Sequence, residues 1–262
     1  MPLEEQYLRL IGKTVPVVDD SAKERLSGLY DCVVETNQQI NITSLTSPID
    51  ATLKHFIDSL TLFSYPEFVR RAENGACVCD IGCGGGFPGL PIACVLPEMD
   101  ITMIDSTEKK IRALEENAVK LALSAVKPVW GRGEELAGKG GAYRERFDVC
   151  VSRAVARLPV LLELCLPFVK VGGIFIALKG QKTEEELEAS RKAIPMLGGE
   201  LKEVFEVPLS VEESVLAEFS EEEKEKIREF FSASRSLVVV EKKKATNPIY
   251  PRKWAQMTKK SL

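Results

Sequence analysis

Val78-Cys79-Asp80-Ile81-Gly82-Cys83-Gly84-Gly85-Gly86-Phe87-Pro88-Gly89 reads as the end of a buried strand, then an acid, then a glycine-packed turn that opens a helix. Glycine has no Cβ, so such a turn tolerates positive φ and lets backbone N–H groups approach a ligand closely at a helix start. This favours a nucleotide-like cofactor over a tight turn that serves packing only. The spacing then separates cofactor classes. Counted from Gly82, glycines fall at Gly84 and Gly86, but the sixth place is Phe87, where a dinucleotide turn wants its third glycine. A match shifted to Gly84, Gly86 and Gly89 starts two residues late and puts Pro88 inside the turn. Asp80 would repel a pyrophosphate and suits an ammonium group, such as the methionine end of S-adenosylmethionine. A second apolar strand, Ile101-Thr102-Met103-Ile104, ends in Asp105, 23 residues beyond Gly82, placed to accept hydrogen bonds from the ribose hydroxyls of either cofactor class. The pattern favours S-adenosylmethionine, with a nicotinamide cofactor as the alternative.

Outward from this turn, apolar segments alternate between strand and helix periodicity. Strands are expected over 76–81, 100–105, 128–131, 147–152, 173–179, 201–207 and 236–241, with helices over 90–96, 107–123, 134–138, 158–169 and 183–197. Thr107 is a candidate N-cap, and Thr183 with Glu186 reads as a capping box, as does Ser220 with Glu223 at the head of a charged helix. Alternation with short connections predicts an α/β fold with a doubly wound, mostly parallel sheet. Before it, Leu8 and Ile11, then Ala22, Leu26, Leu29 and Val33, recur at helical spacing. After a break at Asn41-Ile42-Thr43-Ser44, Ile49, Leu53, Phe56, Ile57, Leu60 and Leu62 make another apolar face. The expected organisation is a helical region at 1–71, a sheet domain at 72–241 with a helical insertion at 212–235, and a basic tail at 242–262.

At 45% hydrophobic residues the chain can bury a substantial core, and no apolar run approaches a membrane span. Met1-Pro2-Leu3-Glu4-Glu5 lacks a basic then apolar leader, and seven scattered cysteines suit reduced thiols, so a cytoplasmic protein is expected. Cys79 and Cys83 are spaced like the start of an iron–sulfur triad, but the third place is Gly86, and no metal is expected. The net charge of −4 hides an uneven distribution, because the stretch after Glu241 carries +7 and no acid, leaving −11 before it. Lys242, Lys243, Lys244, Arg252 and Lys253 are therefore candidate contacts to nucleic-acid phosphates, set against a merely solvated tail.

In open α/β sheets ligands gather beyond the carboxyl ends of the strands. Those positions hold Phe87 after the glycines, Asp105 and Ser106, Gly133 and Glu134 beside a prospective adenine, Arg153, with Arg157 one helical turn on, and Lys179 with Gly180. His55 is the only histidine. It has no metal-ligand partners in the pattern, and a packed helix residue is its plainer reading against that of a general base.

Several of these stretches together carry a resemblance. Asn41-Ile42-Thr43, His55-Phe56-Ile57-Asp58-Ser59-Leu60, the glycine turn continuing into Phe87-Pro88-Gly89-Leu90-Pro91, Ile104-Asp105-Ser106, Ser152-Arg153-Ala154-Val155-Ala156, Leu178-Lys179-Gly180 and Tyr250-Pro251-Arg252-Lys253 are similar to the RsmG family. That family, also called glucose-inhibited division protein B, comprises bacterial 16S rRNA guanine-N7 methyltransferases. The resemblance implies a Rossmann-like, seven-stranded methyltransferase fold with an N-terminal helical extension. It implies S-adenosylmethionine around Asp80, Gly82, Gly84, Gly86, Phe87, Asp105, Ser106, Gly133, Glu134 and Arg153, and a partner that is 16S rRNA, the small ribosomal subunit or its assembly intermediate. Guanine N7 carries an in-plane lone pair and no hydrogen, so the transfer needs alignment and charge stabilisation rather than a base. Arg153 or Arg157 is the candidate to hold the guanine. A methyltransferase acting on a small molecule or a protein, and a non-catalytic RNA-binding factor, are the alternatives. The chain departs from the family at Thr36-Asn37-Gln38, where Trp-Asn-Lys is usual, at Trp254-Ala255-Gln256-Met257, where Ala-Gly-Thr-Pro is usual, and in the Ser220 to Phe231 helix, which looks inserted.

Overall fold

All seven expected strands form in the computed structural model, which describes residues 2–262: β1 (Val78–Ile81), β2 (Ile101–Asp105), β3 (Val126–Trp130), β4 (Phe147–Arg153), β5 (Val169–Lys179), β6 (Gly199–Glu206) and β7 (Ser236–Lys242). They join one sheet in the order β3-β2-β1-β4-β5-β7-β6. β1 to β5 run parallel, and β7 inserts antiparallel between β5 and β6. Strand order reverses between β1 and β4, which opens a crevice at their carboxyl ends.

Alternate strand residues feed two apolar layers, because successive side chains on a strand point to opposite faces. Val78, Val149, Val151, Ile174, Ile176, Leu237 and Val239 face one layer, whereas Cys79, Cys150, Phe175, Ala177, Val238 and Val240 face the other. The first layer is closed by the helices at the start of the chain. Leu10 and Ile11 of Glu5–Thr14, Leu26, Leu29 and Val33 of Asp20–Gln39, and Leu53, Phe56, Ile57 and Leu60 beyond them are all buried against it. The second layer is closed by Leu158–Cys165, whose eight residues are all buried. The charged helix Glu221–Ser232 opens with the capping box anticipated at Ser220 and Glu223, and docks on the first helix through Tyr7, whose hydroxyl donates to Glu223 at 2.6 Å.

Three expectations need correction. Residues 183–197 form two short helices, Thr183–Ser190 and Ala193–Met196. Thr183 caps neither, since its hydroxyl donates to Gly180 O and the Glu186 carboxylate instead accepts from Leu158 N–H and Lys179. The helix begun at Leu158 stops at Cys165, because Pro167 allows only a 3-10 turn, and strand structure resumes at Val169.

The basic terminus is no free tail. Lys242 is fully buried, its ammonium donating to Leu166 O and Thr246 Oγ1, both at 2.6 Å, and burial pushes its pKa down to about 8. It holds the chain end to the sheet and is not available to RNA. Arg252 makes a two-nitrogen contact with the buried Glu163 carboxylate at 2.8 and 2.6 Å, and Met257 of the final helix Trp254–Lys259 is buried.

Removing one partner of a buried ion pair leaves the other uncompensated. Glu163→Ala is therefore expected to lower stability by about 3 kcal/mol in urea denaturation and to expose Arg252 and Lys253 to trypsin in the native protein. Unchanged protection at those two sites would show that the terminus is held by something else.

Candidate cofactor site at the switch point

The loop after β1 bends sharply, with φ of +73°, +55° and +106° at Gly82, Gly84 and Gly86. A Cβ at Gly82 would overlap Val155 Cγ2 from the turn after β4, so the two switch-point turns approach each other only because that side chain is missing. Gly84 N–H donates to Asp105 Oδ2 at 3.0 Å, and Thr107 N–H donates to Oδ1 at 2.8 Å. The acid at the end of β2 thus pins the glycine loop while both of its oxygens keep lone pairs for a ligand.

A cavity of about 410 Å³ opens between this loop and the turn after β3. It brings together Gly82, Gly84, Phe87, Asp105, Ser106, Gly133, Glu134 and Arg153 from the expected set. Three others stand apart. Asp80 is fully buried behind the wall. Gly86 faces Leu90 and Leu114, which a Cβ there would strike, so it serves helix packing. Arg157 is exposed and pairs with Glu185 at 3.3 Å, outside the cavity. Arg132, which follows the third strand beside Gly133 and Glu134, also lines it, and the cavity has walls that sequence reasoning missed, namely Lys110, Leu164 and Trp254. Trp254 is anchored where its backbone N–H donates to Glu134 Oε1 at 3.3 Å. The available signal was a large aromatic in an otherwise polar, lysine-rich stretch.

Asp80 explains why this is not a pyrophosphate site. Its Oδ2 accepts from Gly89 N–H, the first residue of the helix Gly89–Val95, at 2.9 Å. A carboxyl group therefore already fills the helix start that a dinucleotide turn offers to phosphate. Its Oδ1 is buried without a hydrogen-bond partner. Burial is the largest influence on this carboxyl and raises its pKa to about 7.

Arg153, at the end of β4, is fixed from three sides. It donates to Asp58 Oδ2 at 2.7 Å and to Lys54 O at 2.5 Å, and its guanidinium lies 5.7 Å from the Phe87 ring centre. His55 stacks on the same ring, at 4.1 Å and 5°. His55 belongs to a π-helical turn, Ala51–Ile57, and shares a hydrogen bond with Thr43 at 3.0 Å through Nε2. Burial, with Arg153 nearby, lowers its pKa to about 4, so near neutrality it is an uncharged ring that braces Phe87.

S-adenosylmethionine fits these residues. Asp105 keeps acceptor capacity for ribose hydroxyls, the Gly133–Glu134 backbone offers an edge to adenine, and a carboxyl oxygen with no protein partner lies one residue before the lining. The volume is that of a small-ligand site. Among the described residues no cluster of three or more His, Cys, Asp or Glu side chains could hold a metal ion, and no helix is long and apolar enough to cross a membrane.

Comparison with known proteins agrees with this geometry. The family described as GidB, rRNA small subunit methyltransferase G, matches residues 22–214. The chain is 41% identical to ribosomal RNA small subunit methyltransferase G of Levilactobacillus brevis, over 92% of this chain and 90% of that protein. It is 41% identical to the same-named protein of Clostridium novyi over 88% and 86%. Among solved structures, a Galdieria sulphuraria protein named for sarcosine dimethylglycine methyltransferase superposes with a TM-score of 0.50 at 14% identity, covering 87% of this chain and 100% of that one, a likeness of fold.

Two outcomes check the site. Gly82→Ala should abolish S-adenosylmethionine binding in calorimetry, because the added carbon meets Val155 on a left-handed backbone, whereas Gly85→Ala, whose added carbon lies 3.4 Å or more from its neighbours, should retain it. Equal effects would contradict the loop geometry. The second outcome concerns pH. A carboxyl whose pKa rises from 3.8 unfolded to about 7 folded binds a proton in the folded state over that window, so the ligand-free protein loses stability as pH climbs from about 4 to 7. Asp80→Asn should gain in urea midpoint relative to wild type between pH 5 and pH 7.5; a constant difference would mean that Asp80 is ionised throughout.

Proposed function

The chain belongs to the rRNA small subunit methyltransferase G family, and from that premise we propose that it transfers the methyl group of S-adenosylmethionine to N7 of one guanine in 16S rRNA, in the cytoplasm, on the small subunit or its precursor. The observation that carries this reading is Arg153, a cation held at the rim of a cofactor cavity whose carboxylates, Asp105 and Glu134, serve to hold the glycine loop and the chain terminus. The lining carboxylates Asp105 and Glu134 both accept from backbone N–H groups, and His55 is buried. A site so furnished suits an acceptor atom that has a lone pair and no proton to lose.

When bound, the cofactor supplies an electrophilic methyl carbon. The protein's own contribution is positional and electrostatic. Asp105 and the glycine loop fix the donor side, Trp254 and Leu164 help to exclude water, and Arg153 offers hydrogen-bond donors to O6, leaving the neighbouring N7 lone pair free to attack the methyl carbon. Asp58, Lys54 O and Phe87 hold that guanidinium in place, so little reorganisation remains for the moment of transfer. A small-molecule acceptor would need none of the cations exposed around the cavity.

Mapping N7-methylguanine in 16S rRNA from cells with and without the gene should show one guanine losing its mark. Arg153→Ala should lower kcat/KM on unmodified subunits by about a hundredfold while Arg153→Lys restores little, because a point charge replaces a planar fork. Full modification without the gene would overturn the proposal.

A further inference from the structure

A second cavity, about 540 Å³, adjoins the first and shares Arg153 and Ala154 with it. Its remaining wall comes from the end of β5 and the loop beyond, Lys179 to Lys182, and from Ser234 and Arg235 just before β7. Ala154 sits where the two cavities meet with φ of +57°, a left-handed backbone that residues bearing a Cβ seldom adopt and that recurs at functional sites.

We propose that this second cavity receives the target guanosine as a single nucleotide turned out of its RNA, with Gln181 and Lys182 as the residues that recognise it; the assignment rests on the methyl-transfer reading above. Accessibility argues first. The major groove of an A-form helix is deep and narrow, so N7 of a paired guanine is out of reach, and an enzyme that acts on it must take the base from the stack. A cavity of small-ligand size that shares the Arg153–Ala154 wall with the donor site provides the space.

Hydrogen-bond accounting argues second. The cavity has two carboxylates, and both are occupied. Asp58 accepts from Arg153 and from Arg235 at 2.7 and 3.0 Å, and Glu186 accepts from Lys179 and from Leu158 N–H, both at 2.7 Å. Lys179 also donates to Ala156 O at 3.0 Å. Among the described residues the polar side chains left without a protein partner are the Gln181 amide, the Lys182 ammonium and the Ser234 hydroxyl, all exposed. Those groups offer donors and no carboxylate. The guanine edge around N7 presents two acceptors, whereas adenine presents an acceptor beside a donor. The Gln181 amide and the Ser234 hydroxyl can accept as well as donate, but the Lys182 ammonium can only donate, so aimed at O6 it selects guanine over adenine while N7 keeps its lone pair for the methyl carbon.

The test uses the full-length enzyme and small subunits that lack the modification. Wild-type methylation is measured first, and an inactive wild type overturns the methyl-transfer reading and this assignment together. With an active wild type, the double variant Gln181→Ala/Lys182→Ala should bind S-adenosylmethionine as before in calorimetry yet lose about tenfold or more in kcat/KM for subunits. A synthetic RNA fragment carrying 6-thioguanosine at the methylated position should photocrosslink to peptides within 179–183 or 233–237. A kcat/KM within twofold of wild type, or crosslinks confined to 243–262, would overturn the second cavity as the acceptor site and leave the methyl-transfer reading standing.

Discussion

The hydrogen bonds that Asp105 accepts from Gly84 and Thr107 decide whether there is a site at all. The turn after β1 uses positive φ at three glycines, and a turn so free of side chains has the largest entropy to lose on being ordered. Only an external tether can hold it open. The carboxylate at the end of the neighbouring parallel strand supplies one, because the register that sets Ile81 opposite Ile104 brings the two strand ends level. One acid therefore fixes the loop and keeps lone pairs directed to a ligand. Gly82 then lets Val155 close in from β4, so the crevice left by the reversal of strand order becomes a cavity of ligand size.

A second constraint runs through Asp58, which ties the helical layer at the start of the chain to the catalytic edge of the sheet. Its two oxygens hold Arg153 from the end of β4 and Arg235 from the approach to β7. Arg235 is itself settled by stacking 3.6 Å from the centre of the Phe230 ring and by donating to Phe230 O and Ala233 O. The Glu221–Ser232 helix thereby reaches the site through Phe230, Arg235, Asp58 and Arg153, without lining the cofactor cavity itself. Each arginine would be expensive to leave half-buried without its acid. The shared acid thus joins the helical layer, the Glu221–Ser232 helix and the sheet at one point, and His55, from the same helical layer, stacks on Phe87.

What the sequence made legible follows from what is local. The seven strands and the glycine turn are encoded by alternation and by residues within about a dozen positions of one another, so composition and spacing sufficed. Asp105 was found because a parallel β-α-β unit has a characteristic length. Asp80 illustrates the limit. Its proximity to the glycines suggested a ligand contact, but on a central strand buried on both faces the nearest unsatisfied group was the Gly89 N–H, and the carboxyl turned to that. Arg157 failed because no helical turn links it to Arg153: the chain leaves β4 through a left-handed Ala154 and reaches Arg157 as the extended residue before the Leu158–Cys165 helix, where it pairs with Glu185. Trp254 was out of reach because the contact joining it to Glu134 spans 120 residues, and nothing in either neighbourhood announces the other.

The charge of the carboxyl terminus shows why counting is weaker than placing. Seven cations in sequence looked like a phosphate-binding arm, yet the fold spends three of them internally, Lys242 in the core, Arg252 on Glu163 and Lys243 on Glu241. Lys244, Lys253, Lys259 and Lys260 stay exposed, and Lys253 immediately precedes the tryptophan that walls the cofactor cavity. Lys110 lines the same cavity, while Lys182 stands at the neighbouring one. At physiological salt an exposed charge is felt over only about 8 Å, so a net charge of −4 summed over the whole surface says little to a polyanion that approaches this rim. What it meets there includes the unpaired Lys110 at one cavity and Lys182 at its neighbour. Folding the terminus back holds Lys253 next to Trp254 at the cavity wall, a task that a mobile tail of the same composition would perform only at the entropic cost of being ordered on each encounter.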